Sequence, residues 1–481
     1  MAKKSVILIP VIFILIAGIS FLVVWGASQI FAKPGEVTYD ASLTDSEKSF
    51  LESIFTEDAK LKNDVTISAA TKNSPPGDDD DGFIYDILVP VADFYYPSSN
   101  IDSASLNAEI TTTTESSVTL TSISDLQPTQ KLLSLDGNYF LDTLDTGAFY
   151  RVFYLNSPDP TEAGELITPH LRSRPTKDNT LSFAQTGVTA LSRAMNAKLA
   201  QVGDASYFAE KIKDFLVSKD FTHTSNESSF SDSATSDNIC SKPGMLSALT
   251  AIGLDIVELT GNHNQDCGND DAIKTIDIYH ENNIQTYGGG KTAADAVNPA
   301  TVDAKNTKIT LFGYNLSTGG YTTDNTPGAN FYTTEKAKRD IKTAKENGDF
   351  VIVDVQFYEC SEYDTASENT ACDAPVTGQE ALFHEISDLG ADIVVGTSAH
   401  QPQVFELYND KPIYYGLGTL FFDQSWWPGT TRSLILTHYF IDGKYVQTRI
   451  SPTVYDSNFQ PALMDEETSQ WFLARLGSQH R

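Results

Sequence analysis

The stretch "GLDIVELTGNHNQDCG", residues 253–268, decides how this chain is read. Its first half is an apolar run with β-branched residues, bounded by Gly253 and Gly261, and it predicts a buried strand. A turn and then a helix should follow. Open α/β sheets place their ligands just past the carboxyl ends of the strands, so Asn262, His263 and Asp266 stand where a site would be. Each also has a plainer reading. Asn262 suits a left-handed turn, Asp266 suits the cap of a helix starting near Asn269, and His263 suits a strand-end histidine bonded to backbone.

Working outward, strands alternate with helices from residue 181 on. "LSFAQTGVTAL" (181–191), "KITLFGYN" (308–315), "DFVIVDVQF" (349–357) and "ADIVVG" (391–396) read as strands. "SYFAEKIKDFLVSK" (206–219), "DAIKTIDIYHENN" (271–283), "TTEKAKRDIKTAKENG" (333–348) and "GQEALFHEISDLG" (378–390) read as helices. That order implies a layered α/β domain. Two hairpins close the pattern, with turn signals at Asn409-Asp410 and Asp442-Gly443. The expectation is a two-sheet sandwich with helices outside, over residues 176–460, followed by a tail at 461–481. "YGGG" (287–290) reads as a tight turn, since no phosphate-cradling spacing surrounds it.

Residues 35–175 differ. A helix around 44–56 precedes short strand candidates, "DVTISAAT", "FIYDILVPVADFY" and "NAEITTTT", separated by Ser/Thr/Asp-rich turns. They predict a smaller α+β domain ending near "SRPTKDNT" (173–180), with the "DDDD" run (78–81) as a solvated loop. Ahead of it, Lys3 and Lys4 precede an uncharged apolar run from Val6 to Ala27, 22 residues long. That length spans a bilayer, and the lysines place the N-terminus inside. Residues 1–34 are therefore expected to supply a single-pass transmembrane anchor in the cell membrane, with cleavage near "GASQIFA" (26–32) as the alternative, and the bulk of the chain, anchored or secreted, is extracytoplasmic.

Such a location permits disulfides. Cys240, Cys267, Cys360 and Cys372 allow three pairings, of which Cys240–Cys267 and Cys360–Cys372 are favoured over four free thiols. The formal net charge of −31, from 64 acidic and 33 basic residues, excludes nucleic acid as a general partner.

Polar clusters end the predicted strands: "TGVTALSR" (186–193), "SNE" (225–227), "TGNHNQDCG" (260–268), "VQFYE" (355–359) and "GTSAHQPQ" (396–403). Asn, His and Glu gathered this way suit a metal site or a pocket for a polar substrate. His280 and His384 lie on predicted helices and read as surface or core histidines.

With these pieces in order, residues 181–460 resemble the bacterial CapA proteins of poly-γ-glutamate and capsule biosynthesis. "TGVTALSR" stands where that family has G-D-x-x-x-x-R, and "SNE" where it has N-L-E. "GLDIVELTGNHNQDCG" matches its D-x-x-x-x-x-N-N-H-x-x-D-x-G stretch. "GADIVVGTSAHQPQVFELYNDKPIYYGLGTLFFDQ" (390–424) matches the segment around its H-P-H motif. The resemblance implies a metallophosphoesterase-like α/β/β/α sandwich. It departs at three family metal ligands: an Asp falls on Val188, and two His fall on Gln356 and Ser398. A binuclear centre needs a bridging carboxylate between metals about 4 Å apart, which Val188 cannot supply.

Two alternatives stay open. In one, a divalent metal (zinc, manganese or iron) is held by Glu227, Asn262, His263 and His400, with His263, Asn262, Asp266, His400 and Arg193 as catalytic residues of a hydrolase or transferase. In the other there is no metal, and Gln356, Glu359, Gln401 and Gln403 line a pocket that binds an anionic or peptide-like surface polymer as an assembly module. Arg193 would bind a substrate anion or pair with Glu227. Other capsule-synthesis proteins are the expected partners. A weaker reading makes residues 35–175 a solute-binding domain.

Overall fold

Strands buried on both faces are nearly continuous apolar runs, and such runs build the centre of this protein. The computed structural model describes residues 35–477 apart from 57, 58, 60, 78–80, 107–116, 318 and 361–371. Its chain divides into two compact units, one running to Leu88 and resuming at Ala148–Arg174, the other comprising Val89–Gly147 and Pro175–Arg481.

In the larger unit, Gln285–Tyr287, Leu254–Glu258, Phe221–Asn226 and Thr180–Thr189 lie side by side and parallel. The sheet continues antiparallel through Arg432–Ile441, Lys444–Tyr455 and Pro461–Leu463. A second sheet has parallel strands Thr307–Asn315, Phe350–Gln356, Ile393–Gly396 and Lys411–Tyr414 at its centre. Ala300–Ala304 and Phe405–Tyr408 form its antiparallel edges.

Three apolar layers explain the stacking. Leu181, Phe183 and Ile256 of the first sheet pack with Leu311, Ile352 and Val395 of the second. Met195, Phe208, Leu249 and Tyr279 cover the outer face of the first sheet, and Ile341, Phe383 and Ile386 that of the second. This is the α/β/β/α order expected. Both hairpin turns carry positive φ at their centres, 50° and 63° at Asn409 and Asp410, 49° and 79° at Asp442 and Gly443. Those values match the tight turns the dipeptides signal.

The smaller unit pairs Val37–Tyr39, Val65–Lys72, Phe149–Asn156 and the first part of Phe83–Asp93. Helix Asp45–Ile54 opens with a capping box between Thr44 and Glu47. Glu47 also takes a two-pronged bond from Arg151, at 2.6 and 2.8 Å.

Three expectations change. Residues 89–147 belong with the larger unit rather than with a domain spanning 35–175, because contacts rather than chain order define a unit. Residues 206–219 form two short helices, Ser206–Ala209 and Lys213–Val217, whose Phe208, Ile212 and Leu216 are nevertheless buried together. In the expected tail, residues 461–477 instead hold a strand, Pro461–Leu463, and a helix, Glu466–Gly477, with Phe472, Leu473 and Leu476 in the layer between the sheets. Among the described residues no helix is long and apolar enough to cross a membrane. The run Val6–Ala27, the strand candidate at 107–114 and Asp78–Asp80 lie outside the described residues. Both favoured disulfides, Cys240–Cys267 and Cys360–Cys372, are present.

Phe472 is 1% exposed. Replacing it with Ala should cost about 3–5 kcal/mol, read as a lowered urea midpoint, because truncation leaves a cavity between sheet and helix. A near-neutral result would return residues 461–477 to the status of a tail.

Candidate functional site

The parallel strands of both sheets end on the same side, and there the polar residues meet. Glu227 directly follows Phe221–Asn226, and Gln356 is the last residue of Phe350–Gln356. The Gln356 amide donates to Glu227 Oε1 at 3.2 Å and to Asn262 Oδ1 at 2.8 Å. One side chain from the second sheet thus joins two residues from the first. Gly261 makes the approach feasible, since a Cβ there would lie 2.7 Å from the Glu227 Cα. Asn262 has no positive φ, so it is not the left-handed turn residue its type suggested.

His400 lies 3.8 Å from Glu227 Oε2 and 3.6 Å from Glu359 Oε1 through its Nε2. Burial opposes its charged form, but the Glu359 hydrogen bond and the Glu227 and Glu359 charges outweigh burial and raise its pKa. Burial also raises the pKa of Glu227, with Glu359 adding to the effect and His400 opposing it. Glu227 and His400 are therefore two buried groups able to hold a proton between them. His263 Nδ1 lies 2.8 Å from Asp266 Oδ2, and that bond raises the His263 pKa. Asp266 serves His263 and does not cap the helix Asn269–Glu281, whose N-cap is Gly268.

Other expected residues point elsewhere. Arg193 does not pair with Glu227. Its Nη2 lies 2.5 Å from Asp423 Oδ1, and its guanidinium stands 4.5 Å from the Phe422 ring centre and 5.5 Å from that of Trp426. Gln401 donates to Asp373, itself held by Arg475, and Gln403 donates to the Ala374 carbonyl. Both amides are buried in structural bonds, so the expected amide-lined pocket reduces to Gln356. Ser398 donates to the Phe357 carbonyl at 2.6 Å. His280 bonds Thr286, and His384 lies against Glu406 and Tyr408.

The residues do not fit the two-metal centre that the resemblance implies. Val188 is buried and apolar where a bridging carboxylate would stand. Gln356 presents N–H donors to Glu227 and Asn262, so those oxygens meet a donor where they would meet a cation. For a single ion, among the described residues no group of three His, Cys, Asp or Glu side chains is arranged to hold one.

Beneath the cluster lies a layer that sequence reading missed. Side chains two apart on a strand share a face, so Ser225 sits under Glu227 and Asp354 under Gln356. Asp354 accepts from Gln185 and from Tyr287, the latter at 2.6 Å, and Tyr287 lies 2.8 Å from His223 Nε2. Burial raises Asp354 to about 7 and lifts Glu258 well above the carboxylate range, the latter helped by Asp354. Burial lowers His223 and His438 to about 3, so neither is a cation at neutral pH. Two buried carboxyls without a cation cannot both ionise, and the pair keeps a proton. No local pattern marked them: Asp354 lies singly within "VIVDV" and Glu258 ends "DIVE", as ordinary strand carboxylates do.

The sequence model of the family described as "Bacterial capsule synthesis protein PGA_cap" matches residues 182–424, a span containing the whole cluster. The capsule biosynthesis protein CapA of Bacillus anthracis is 26% identical over 230 residues, 47% of this chain and 54% of that one. The match therefore spans about half of that relative's length. The PGA biosynthesis protein CapA of Bacillus subtilis (strain 168) is 25% identical over 284 residues, 57% of this chain and 72% of that one. Among solved structures, a purple acid phosphatase from yellow lupin seeds aligns over 84% of this chain and 73% of its own at 10% identity, with a TM-score of 0.29, too low to bear on fold or function.

The acid pair has a thermodynamic signature. Asp354 binds its proton more tightly folded than unfolded, so its contribution is present below its ordinary value of 3.8 and lost as pH rises to about 7. The stability of the protein minus that of Asp354→Asn should fall by up to about 1.4 kcal/mol per pH unit across that window. Denaturant unfolding at stepped pH checks it; a flat difference would mean Asp354 is ionised throughout.

Proposed function

The chain belongs to the bacterial capsule synthesis protein family PGA_cap, and on that premise we propose that it serves the making of a capsule-type surface polymer. The cluster of Glu227, Asn262, Gln356 and His400 is the place where the polymer is handled, without two-metal chemistry. What carries this reading is overlap: the family match contains every member of the cluster, and the cluster is assembled from both sheets. The chemistry at hand is proton transfer between His400 and Glu227, buried groups 3.8 Å apart whose pKa values are both raised. The run Val6–Ala27 anchors the chain in the cell membrane, leaving the site outside the cytoplasm beside other capsule-synthesis proteins. Two disulfides agree with an oxidising compartment.

A second reading, a non-catalytic assembly module, is favoured by one observation. Gln356 satisfies Glu227 Oε1 and Asn262 Oδ1 internally, which leaves fewer groups to polarise a substrate.

Deletion of the gene in the source organism should abolish its surface polymer, and the intact chain should restore it. A Glu227→Gln, His400→Ala double variant should restore at least about a hundredfold less polymer if proton transfer is the task. Full restoration by that variant would select the assembly module, and unchanged polymer after deletion would refute the function. Elemental analysis of the purified full chain should find no stoichiometric metal.

A further inference from the structure

Glu359, the carboxylate that meets His400 at 3.6 Å, lies in neither a strand nor a helix. Strand Phe350–Gln356 ends three residues before it, and residues 357–360 follow an irregular path. The start of that path is fixed, because Ser398 Oγ donates to the Phe357 carbonyl at 2.6 Å. The two residues that follow are open to solvent: Tyr358 is 47% exposed and the Glu359 side chain 40%. The next residue, Cys360, is bonded to Cys372.

Cys372 opens a short stretch that is locked into the fold. It is buried, as is Asp373. The Asp373 carboxylate accepts from Arg475 Nε at 2.5 Å and Nη2 at 2.9 Å, and from Gln401 Nε2 at 3.0 Å. Its carbonyl accepts from the Val404 N–H at 2.8 Å, and the Ala374 carbonyl accepts from Gln403 Nε2 at 2.8 Å. A two-pronged guanidinium–carboxylate pair fixes direction as well as distance. Gln401, Gln403 and Val404 all stand on the loop that carries His400. Residues 372–374 therefore hold both partners, the His400 loop through hydrogen bonds and Glu359 through the disulfide. The contacts close a ring that runs from His400 through Gln401, Asp373, Cys372, Cys360 and Glu359 back to His400.

We infer that the Cys360–Cys372 disulfide, with Asp373 and Arg475, positions Glu359 against His400, so that the site is complete only with this disulfide closed. A disulfide that merely constrains the unfolded chain needs no particular neighbours. Here each cysteine adjoins a carboxylate that meets the His400 loop, Glu359 at the imidazole and Asp373 at Gln401. Exposed ion pairs are weak because two mobile side chains must be held in one geometry, so Glu359 gains much from an anchor one residue away. Arg475 lies on the helix Glu466–Gly477, outside the family match at residues 182–424, so part of the support comes from beyond that span. This inference rests on the reading of the cluster as the working site and adds what positions it.

The test labels histidine with 13C at Cε1 in the full chain, held in detergent, and follows the eight histidine signals by NMR at one pH. The signal missing from His400→Gln is that of His400. Glu359→Gln should shift it, and a Cys360→Ala, Cys372→Ala double variant should shift it the same way. Adding Glu359→Gln to the double variant should shift it no further, since the contact is already lost. The buried His223 and His438 should keep their positions throughout and so report an intact core. If they move in the double variant, Arg475→Lys decides instead: it keeps the charge, loses the fork, and should shift His400 alone. A His400 signal indifferent to Glu359→Gln, or to the cut made with the core intact, would overturn the inference, as would a full further shift in the combined variant. Loss of polymer on gene deletion beside any of those results would sink the positioning role and leave the capsule function standing. The expected shifts beside unchanged polymer on deletion would do the reverse.

Discussion

The Gln356 side chain, donating at once to Glu227 and Asn262, ties together the carboxyl ends of two sheets. Hydrogen bonds to a charged or partly charged acceptor in a buried place are among the stronger ones, and leaving such an acceptor unmet is costly. The amide therefore settles what the site is. With a donor between those oxygens, Glu227 keeps one oxygen for His400, and the neighbouring His263 turns to Asp266. A residue with an acceptor at that position would ask for a cation instead.

The site also rests on the polar layer beneath it. Two parallel sheets face to face would ordinarily exclude carboxyl groups from the space between them. Here Glu258 and Asp354 are fully buried, with bonds from Thr260, Gln185 and Tyr287 to accommodate them. Because neither His223 nor His438 carries charge at neutral pH, the layer is compensated by protons rather than by ions. Glu227 stands one strand step above this layer, and its charge adds to the burial and the Asp354 charge that raise the Glu258 pKa. Site and foundation are therefore electrostatically linked, although their side chains come from four different strands.

Around this centre the surface changes character. Exposed aromatic rings gather beside an acidic cluster, while Arg193 is neutralised by Asp423 between Phe422 and Trp426.

Much of the fold was legible in the sequence. Apolar runs such as "VIVDV" and "IVVG" mark buried parallel strands by composition alone, and Asn409-Asp410 and Asp442-Gly443 mark turns through their tolerance of positive φ. The strand-end clusters named Glu227, Asn262, His263 and His400 because residue type and element boundaries are local properties. Side-chain direction is not local. Whether Arg193 met Glu227 or Asp423, whether Gln401 faced a substrate or Asp373, and whether residues 461–477 hung free or packed between the sheets depended on chain segments far away in sequence. The acid layer was invisible for the same reason: Glu258 and Asp354 read as ordinary strand carboxylates until two sheets close over them, and only burial makes them hold a proton.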